Sequence, residues 1–301
     1  MENAVVYGFP PAVLADIPAG ARQASPLVPG SIALEEAGDL DAVVMLAPPG
    51  TQERRHTLAL ALQALRPGGL LTALAPKDKG GSRLKGELAA LGCTVDETSK
   101  RHHRICVVRR PDSPTGIAEA IAQGAPRFVD ALGLWSQPGV FSWDRLDPGT
   151  ALLASRLPPL KGRGADLGCG IGVLSHTVLR GTAVGELHMI DIDRRAVDAA
   201  RRNVDDSRVR FAWADATGNE PFLADLDFVV MNPPFHDAGA EDRGLGQAFI
   251  RRAAQVLKPR GACWLVANRH LPYEGVLDAR FTSVRIVAQA DGFKVVEARH
   301  A

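Results

Sequence analysis

The 301-residue sequence contains no C-x-x-C pair: Cys93, Cys106, Cys169 and Cys263 stand far apart. That spacing excludes a cysteine zinc site and a disulfide framework; no metal is expected, and three of the four cysteines are expected simply to pack inside. No run reaches the roughly 18 apolar residues that a membrane helix needs. The longest candidate, Leu58 to Ala75, is broken by Gln63, Arg66, Pro67, Gly68 and Gly69. The opening residues, Met1 to Pro11, lack the basic and then apolar pattern of a leader, so a cytoplasmic protein with no membrane association is expected. Charge of one sign is not in excess either. With 35 basic against 34 acidic residues and a net charge of +1, no global field draws the chain to a polyanion. Any such binding must be local, and the local candidates are Lys77, Lys79, Arg83 and Lys85, then Lys100, Arg101, His102, His103 and Arg104. Read alone, these are a solvated face and a strand edge.

What is present is the material of folded cores, 46% hydrophobic and 23% charged, in a chain long enough for two domains. The pattern alternates strand and helix, which implies an α/β fold with parallel sheets covered on both faces. In the C-terminal half, strands are expected at 164–167, 186–190, 209–213, 227–231 and 263–267, and at 283–288 and 293–298, the last two as an antiparallel hairpin. Helices are expected at 173–179 and 194–203, with a further one whose apolar face is Phe249, Ala253, Val256 and Leu257. Between the halves, Pro111 to Thr150 is rich in Pro and Gly, with one short helix expected at 116–123. Its apolar residues, among them Phe128, Leu132, Trp135 and Phe141, suit packing better than a free linker. The domains are therefore expected at 1–123 and 151–301, with 124–150 an inter-domain segment packed on the second.

The first half carries a weaker copy of the second. Asp39-Leu-Asp-Ala-Val-Val-Met-Leu echoes Asp225-Leu-Asp-Phe-Val-Val-Met-Asn, and Ala64-Leu-Arg-Pro-Gly-Gly echoes Val256-Leu-Lys-Pro-Arg-Gly. The first copy has Leu46-Ala-Pro-Pro-Gly where the second has Asn232-Pro-Pro-Phe, and it has no glycine loop. It reads as a scaffold kept without its chemistry.

That chemistry begins at Asp166-Leu-Gly168-Cys169-Gly170-Ile-Gly172. Glycines at alternate positions after a buried strand allow a tight turn and a close approach by a ligand. The acid two residues ahead suits an ammonium group and would repel a pyrophosphate, which favours S-adenosylmethionine over a dinucleotide. Asp191, ending the next strand, suits the ribose hydroxyls of an adenosine, whereas Asp193 suits a helix cap. Asp215, after a third strand, suits either an adenine amino group or a cap. The deciding signal is Asn232-Pro233-Pro234-Phe235 after a fourth strand. An exocyclic amine is a poor nucleophile because its lone pair is delocalised. The Asn232 side-chain oxygen and the Pro233 carbonyl can each accept one of its N–H groups, which aims the lone pair at a methyl donor. Proline lacks an N–H and fixes φ, keeping carbonyls out of a helix ladder, and Phe235 offers a face on which a base can stack.

These motifs resemble class I methyltransferases that act on amino groups. Gln137-Pro-Gly-Val-Phe-Ser, Leu146-Asp-Pro-Gly-Thr, Asn232-Pro-Pro-Phe-His236, Val266-Ala-Asn-Arg-His-Leu-Pro-Tyr and Gly292-Phe-Lys-Val narrow the resemblance to bacterial rRNA guanine-N2 methyltransferases, of the small-subunit methyltransferase C type and its large-subunit relatives. The resemblance implies two tandem Rossmann-like methyltransferase-type domains, the N-terminal one degenerate and the C-terminal one built on a seven-stranded, mostly parallel sheet. It implies S-adenosylmethionine as cofactor, held by Asp166, Gly168, Cys169, Gly170, Gly172, Asp191, Ile192, Asp215, Ala216 and Asn232, with Phe141 and Thr150 near the methionine end. Asn232, Pro233, Pro234 and Phe235 would hold the guanine amine. Lys77, Lys79, Arg83, Arg101 and His236 would contact RNA, and the partner would be rRNA, 16S first, or a ribosomal subunit, met by a monomer. The alternatives are a guanine of 23S rRNA or a protein glutamine amide.

Overall fold

The computed structural model describes residues 3–234, 236–237, 240–241 and 243–300, with backbone alone for residues 236, 237, 240, 241 and 243. The chain divides into two compact units, Met1–Pro126 with Gln137–Gly139, and Arg127–Ser136 with Val140–Ala301. No helix among the described residues is long and apolar enough to cross a membrane.

Unit 1 contains β1 (Ala4–Tyr7), β2 (Arg22–Gln23), β3 (Leu40–Leu46), α1 (Thr51–Ala64), β4 (Leu65–Pro76), α2 (Ser82–Ala90), β5 (Asp96–Lys100), β6 (His103–Arg109) and α3 (Ile117–Gly124). Its six-stranded sheet runs in the order β2-β1-β3-β4-β6-β5. Unit 2 contains β7 (Arg127–Val129), β8 (Leu134–Ser136), α4 (Pro148–Ala154), β9 (Gly162–Leu167), α5 (Val173–Leu179), β10 (Val184–Asp191), α6 (Arg194–Asn203), β11 (Val209–Trp213) and β12 (Leu226–Met231). After these come β13 (His236–Asp237), β14 (Ala240–Glu241), α7 (Arg243–Val256), β15 (Leu257–Asn268), α8 (Glu274–Asp278), β16 (Ser283–Ala290) and β17 (Phe293–Arg299). Its seven-stranded sheet is ordered β11-β10-β9-β12-β15-β17-β16, parallel except where β17 meets β15 and β16.

Strand β12 of unit 2 is a near-continuous apolar run because both faces are covered. Along β12, Val229 and Met231 enter one core cluster while Phe228 and Val230 enter another, as a period of two between layers of helices requires. Helix α6 obeys the other period: Ala196, Val197, Ala199 and Ala200 are buried, and Asp193 caps it by accepting from the Arg195 N–H. Two expectations are corrected. Leu257 belongs to β15 and not to the preceding helix, which stops at Val256 before Lys258-Pro259. The Pro/Gly-rich segment also holds α4, opened by Asp147 with Pro148 at its first position.

The duplication extends to backbone conformation. Positive φ recurs at Asp39 (51°) and Asp225 (52°) before β3 and β12, at Gly68 (75°) and Arg260 (66°) in the helix-to-strand turns, and at Gly8 and Gly168 (72° each) after β1 and β9. Gly8 stands in unit 1 where Gly168 opens the glycine loop in unit 2, and Phe9, Pro10 and Pro11 follow it.

Candidate active site

In a parallel sheet the loops after the strands gather at its carboxyl edge, and neighbouring strands set which loops meet. Strands β9 and β12 are adjacent, with Leu167 opposite Met231, so the glycine loop and the Asn232 turn leave the sheet side by side. Both line one narrow cavity of about 60 Å³, together with Phe141, Asp147 and Thr150.

Gly168, Gly170 and Gly172 all have positive φ. A Cβ on Gly172 would press within 3.1 Å of Met189 and Val204, whereas one on Gly170 would meet nothing within 4 Å. Close packing therefore demands glycine at 172, and at 170 the backbone conformation does, with open space in front. Asp191 braces the loop: its Oδ2 accepts the Gly170 N–H at 2.8 Å and its Oδ1 the Asp193 N–H at 2.9 Å. Burial lifts its carboxyl to about 6, against the lowering pull of these N–H groups.

Asp166 is wholly buried at the end of β9. Its Oδ2 accepts the Ser175 hydroxyl at 2.7 Å, while its Oδ1, equally buried, has no hydrogen-bond partner. Burial pushes its pKa up to about 7. A buried carboxylate oxygen without a donor is costly, and an ammonium group is the donor that would satisfy it. This orphaned acceptor, with the open glycine cradle beside it, fits the methionine end of S-adenosylmethionine.

Asn232 is half-buried, and its carboxamide is tethered. Nδ2 donates to Asp147 Oδ2 at 3.0 Å and to Thr150 Oγ1 at 2.9 Å. Asp147 Oδ2 also accepts the Thr150 N–H (2.7 Å) and hydroxyl (3.0 Å), the bonds that cap α4. A carboxylate only accepts, so the amide nitrogen must face it, and both of its protons are committed. The Asn232 Oδ1 is left as the free edge of the group, turned away from two acceptors.

The remaining residues take varied places. Pro233 is buried and Pro234 exposed, while Phe235 lies outside the described residues, as does the side chain of His236. Asp215 is exposed and closes a turn, its Oδ1 accepting the Thr217 N–H (2.8 Å) and hydroxyl (2.7 Å), and no helix follows it. Ala216 and Cys169 are buried and Ile192 is 43% exposed; of these only Cys169 lines the cavity. All four cysteines are buried, one more than expected, and burial raises the Cys169 thiol far above its ordinary pKa, so no thiolate nucleophile is available there. In unit 1, Lys77 and Arg101 are exposed, and the Lys77 N–H bonds the His102 carbonyl at 2.8 Å, so the two basic segments adjoin. Arg83 bonds Thr51 Oγ1 at 2.9 Å.

Two residues to which the sequence motifs assign no role also shape the site. Asp147 became legible only through Asn232, although Asp-Pro-Gly-Thr is itself a helix-start signal. Asn203 ties the glycine loop to β8: its Nδ2 donates to the Ile171 and Trp135 carbonyls, each at 2.9 Å, and its Oδ1 accepts the Trp135 N–H at 2.7 Å.

Residues 131–297 match the family described as "Methyltransferase small domain". The chain is 34% identical over 257 residues to a ribosomal RNA small subunit methyltransferase C of Pseudomonas aeruginosa, covering 84% of this chain and 77% of that protein. It is 38% identical over 175 residues to a protein of the same name from Hahella chejuensis, covering 58% and 51%. A solved T. thermophilus 16S rRNA N2 methyltransferase, in complex with AdoMet and guanosine, shares the fold, with a TM-score of 0.76 at 24% identity over 100% of this chain and 89% of that one.

Proposed function

This chain belongs to the methyltransferase small domain family, as one of the ribosomal RNA small subunit methyltransferase C proteins, and from that premise we propose that it methylates the exocyclic N2 amine of a guanine in 16S rRNA, in the cytoplasm. When bound, S-adenosylmethionine supplies an electrophilic methyl group on a sulfonium and leaves as S-adenosylhomocysteine.

The chain's own residues do the rest. Asp166, ionised, receives the cofactor ammonium on Oδ1; Gly168, Gly170 and Gly172 let the backbone close on the ligand; Asp191 holds that loop and keeps lone pairs for the ribose hydroxyls. The guanine amine donates one N–H to Asn232 Oδ1 and the other to the Pro233 carbonyl, which leaves its lone pair directed at the methyl carbon. As the N–C bond forms and the S–C bond breaks, positive charge grows on nitrogen, and the two fixed oxygens stabilise it. One N–H proton is then shed to water, so no side chain need act as a base. Phe235 offers a stacking face for the base, and a guanine inside folded RNA must first be swung out. Unit 1, a silent copy, offers Lys77, Lys79, Arg83 and Arg101 to phosphates, and His236 adds a contact beside the Asn232 turn.

The observation that carries this reading is the tethered carboxamide: with both Nδ2 protons committed to Asp147 and Thr150, Asn232 can present only an acceptor. Purified protein incubated with labelled S-adenosylmethionine and 16S rRNA or small subunits, followed by nucleoside analysis, should yield N2-methylguanosine. A deletion strain should lack one such nucleoside in 16S rRNA. A methyl group found only on another base, or only on protein, would overturn the assignment.

A further inference from the structure

The last hairpin of each sheet allows the two copies to be compared residue by residue. In unit 2 the β16–β17 hairpin turns through Asp291-Gly292, with φ of 50° and 82°; in unit 1 the β5–β6 hairpin turns through Arg101-His102, with φ of 47° and 61°. The two turns hold the same place in their sheets. His103 pairs with Lys100 across the hairpin and with Pro76 at the end of β4, as Phe293 pairs with Ala290 and with Asn268 at the end of β15. The next residue repeats the match: the Lys77 N–H bonds the His102 carbonyl and the Arg269 N–H the Gly292 carbonyl, each at 2.8 Å. A two-residue turn with positive φ at both positions favours Asn or Asp followed by Gly, the type of pair present in unit 2. Arginine and histidine bring a Cβ into the left-handed region, where it crowds the following carbonyl. Unit 1 therefore strains a turn that its own duplicate makes with the preferred residues.

What the strained residues face decides their meaning. The turn lies at the carboxyl edge of the unit 1 sheet, the edge that in unit 2 carries the glycine loop and the Asn232 turn. Both turn carbonyls are engaged from within, that of Arg101 by the His103 Nδ1 at 2.8 Å and that of His102 by the Lys77 N–H. Lys100 donates from Nζ to the Val13 carbonyl at 2.9 Å, anchoring the turn to the loop after β1. The Arg101 and His102 side chains are left exposed, and neither Arg101 nor the exposed Lys77 has an ion-pair partner among the described residues. Strain kept at a rigid, exposed tip points to contact as the reason for its side chains, since folding alone would favour others. A guanidinium and an ammonium fixed side by side fit phosphate oxygens, and an imidazole adds a donor and a stacking face. We propose that the β5–β6 turn of unit 1 is an RNA grip: Arg101 and Lys77 hold the phosphate backbone, His102 contacts the strand beside them, and the preferred turn residues are given up for that contact. The inference rests on the proposed function for RNA as the partner; it adds His102 and assigns the strain.

Restoring the preferred turn provides the test. In the full-length chain, Arg101→Asn with His102→Gly should raise the thermal midpoint by about 3 °C. Affinity for a 16S rRNA transcript, measured by filter binding at about 100 mM salt, should fall about 5- to 20-fold, with log K less steep in log salt by about 0.7–0.9. Because this variant is more stable than the parent, its weaker binding cannot come from unfolding. Arg101→Gln with His102→Gln keeps the strain and removes the contacts, so it should bind about as weakly with a midpoint within about 1 °C of the parent. Parent-like affinity in either double variant, or a first variant no more stable than the parent, would overturn the proposal. A parent chain that fails to bind 16S rRNA would instead sink the proposed function, and the grip with it.

Discussion

Replacing Asp147 by alanine removes the acceptor that fixes the Asn232 carboxamide while leaving Asn232 in place. Three bonds end on Asp147 Oδ2: the Asn232 Nδ2 at 3.0 Å, the Thr150 hydroxyl at 3.0 Å and the Thr150 N–H at 2.7 Å. The first holds the amide in its acceptor-presenting orientation, and a hydrogen bond to a charged group contributes about 1.5–3 kcal/mol. Its loss should slow methyl transfer by about 10- to 100-fold. Asn232→Ala deletes the acceptor itself and should cost about 10²- to 10³-fold. The third bond caps α4, so Asp147→Ala should also lose about 1 kcal/mol of stability. Single-turnover transfer from labelled S-adenosylmethionine to 16S rRNA reads the chemical step, and calorimetry reads cofactor affinity, which should change less than about twofold because Asp147 bonds no part of the glycine loop. The double variant separates orientation from general damage. If Asp147 acts through Asn232, Asp147→Ala in an Asn232→Ala background should slow the reaction no further. A fully active Asp147→Ala, or multiplicative losses in the double variant, would refute the tether.

The other expectations concern the cofactor cradle and the RNA grip. Burial holds the Asp166 carboxyl near 7 in the folded chain against 3.8 ordinarily, so its contribution to stability without ligand is present at low pH and lost as pH rises from about 4 to 7. An ammonium ligand needs the ionised form, so cofactor affinity, measured calorimetrically from pH 8 to 5.5, should weaken on acidification below about 7 by roughly tenfold per pH unit; a flat profile would remove Asp166 from the site. Asp166→Asn should raise the thermal midpoint of the free protein while weakening cofactor binding about 10- to 100-fold. Gly172→Ala, pressed against Met189 and Val204, should cost about 2 kcal/mol in denaturant unfolding, whereas Gly170→Ala, strained only in φ, should cost about 1 kcal/mol and act mainly on cofactor affinity. Lys77→Ala and Arg101→Ala should each weaken rRNA binding and flatten the dependence of log K on log salt by about 0.7–0.9, with guanine selectivity unchanged; an unaltered slope would take them off the RNA.

Elements set by short-range pattern were fully legible in the sequence. Helices α5 and α6 and strand β11 lie at the boundaries that apolar spacing and capping predict, because a period of 3.6 or 2 and an Asp before a helix are properties of a few consecutive residues. The residue types of the site could be read for the same reason: an acid two positions before a glycine turn and an Asn-Pro-Pro after a buried strand each state their chemistry locally. Sequence repetition likewise fixed the duplication, which Asp39 and Asp225 repeat in their backbone. Only the folded chain decided what those residues face. Asp147 and Asn232 are 85 positions apart and meet because α4, which Asp147 caps, packs on β15, the neighbour of β12. Arg54 sits in Thr-Gln-Glu-Arg-Arg-His, where nothing local distinguishes it from Arg55, yet it is wholly buried while the Arg55 side chain is 52% exposed. Which way a helix turns its charged residues depends on the sheet it packs against, and which loops touch depends on strand order; both are long-range properties that no window of consecutive residues contains.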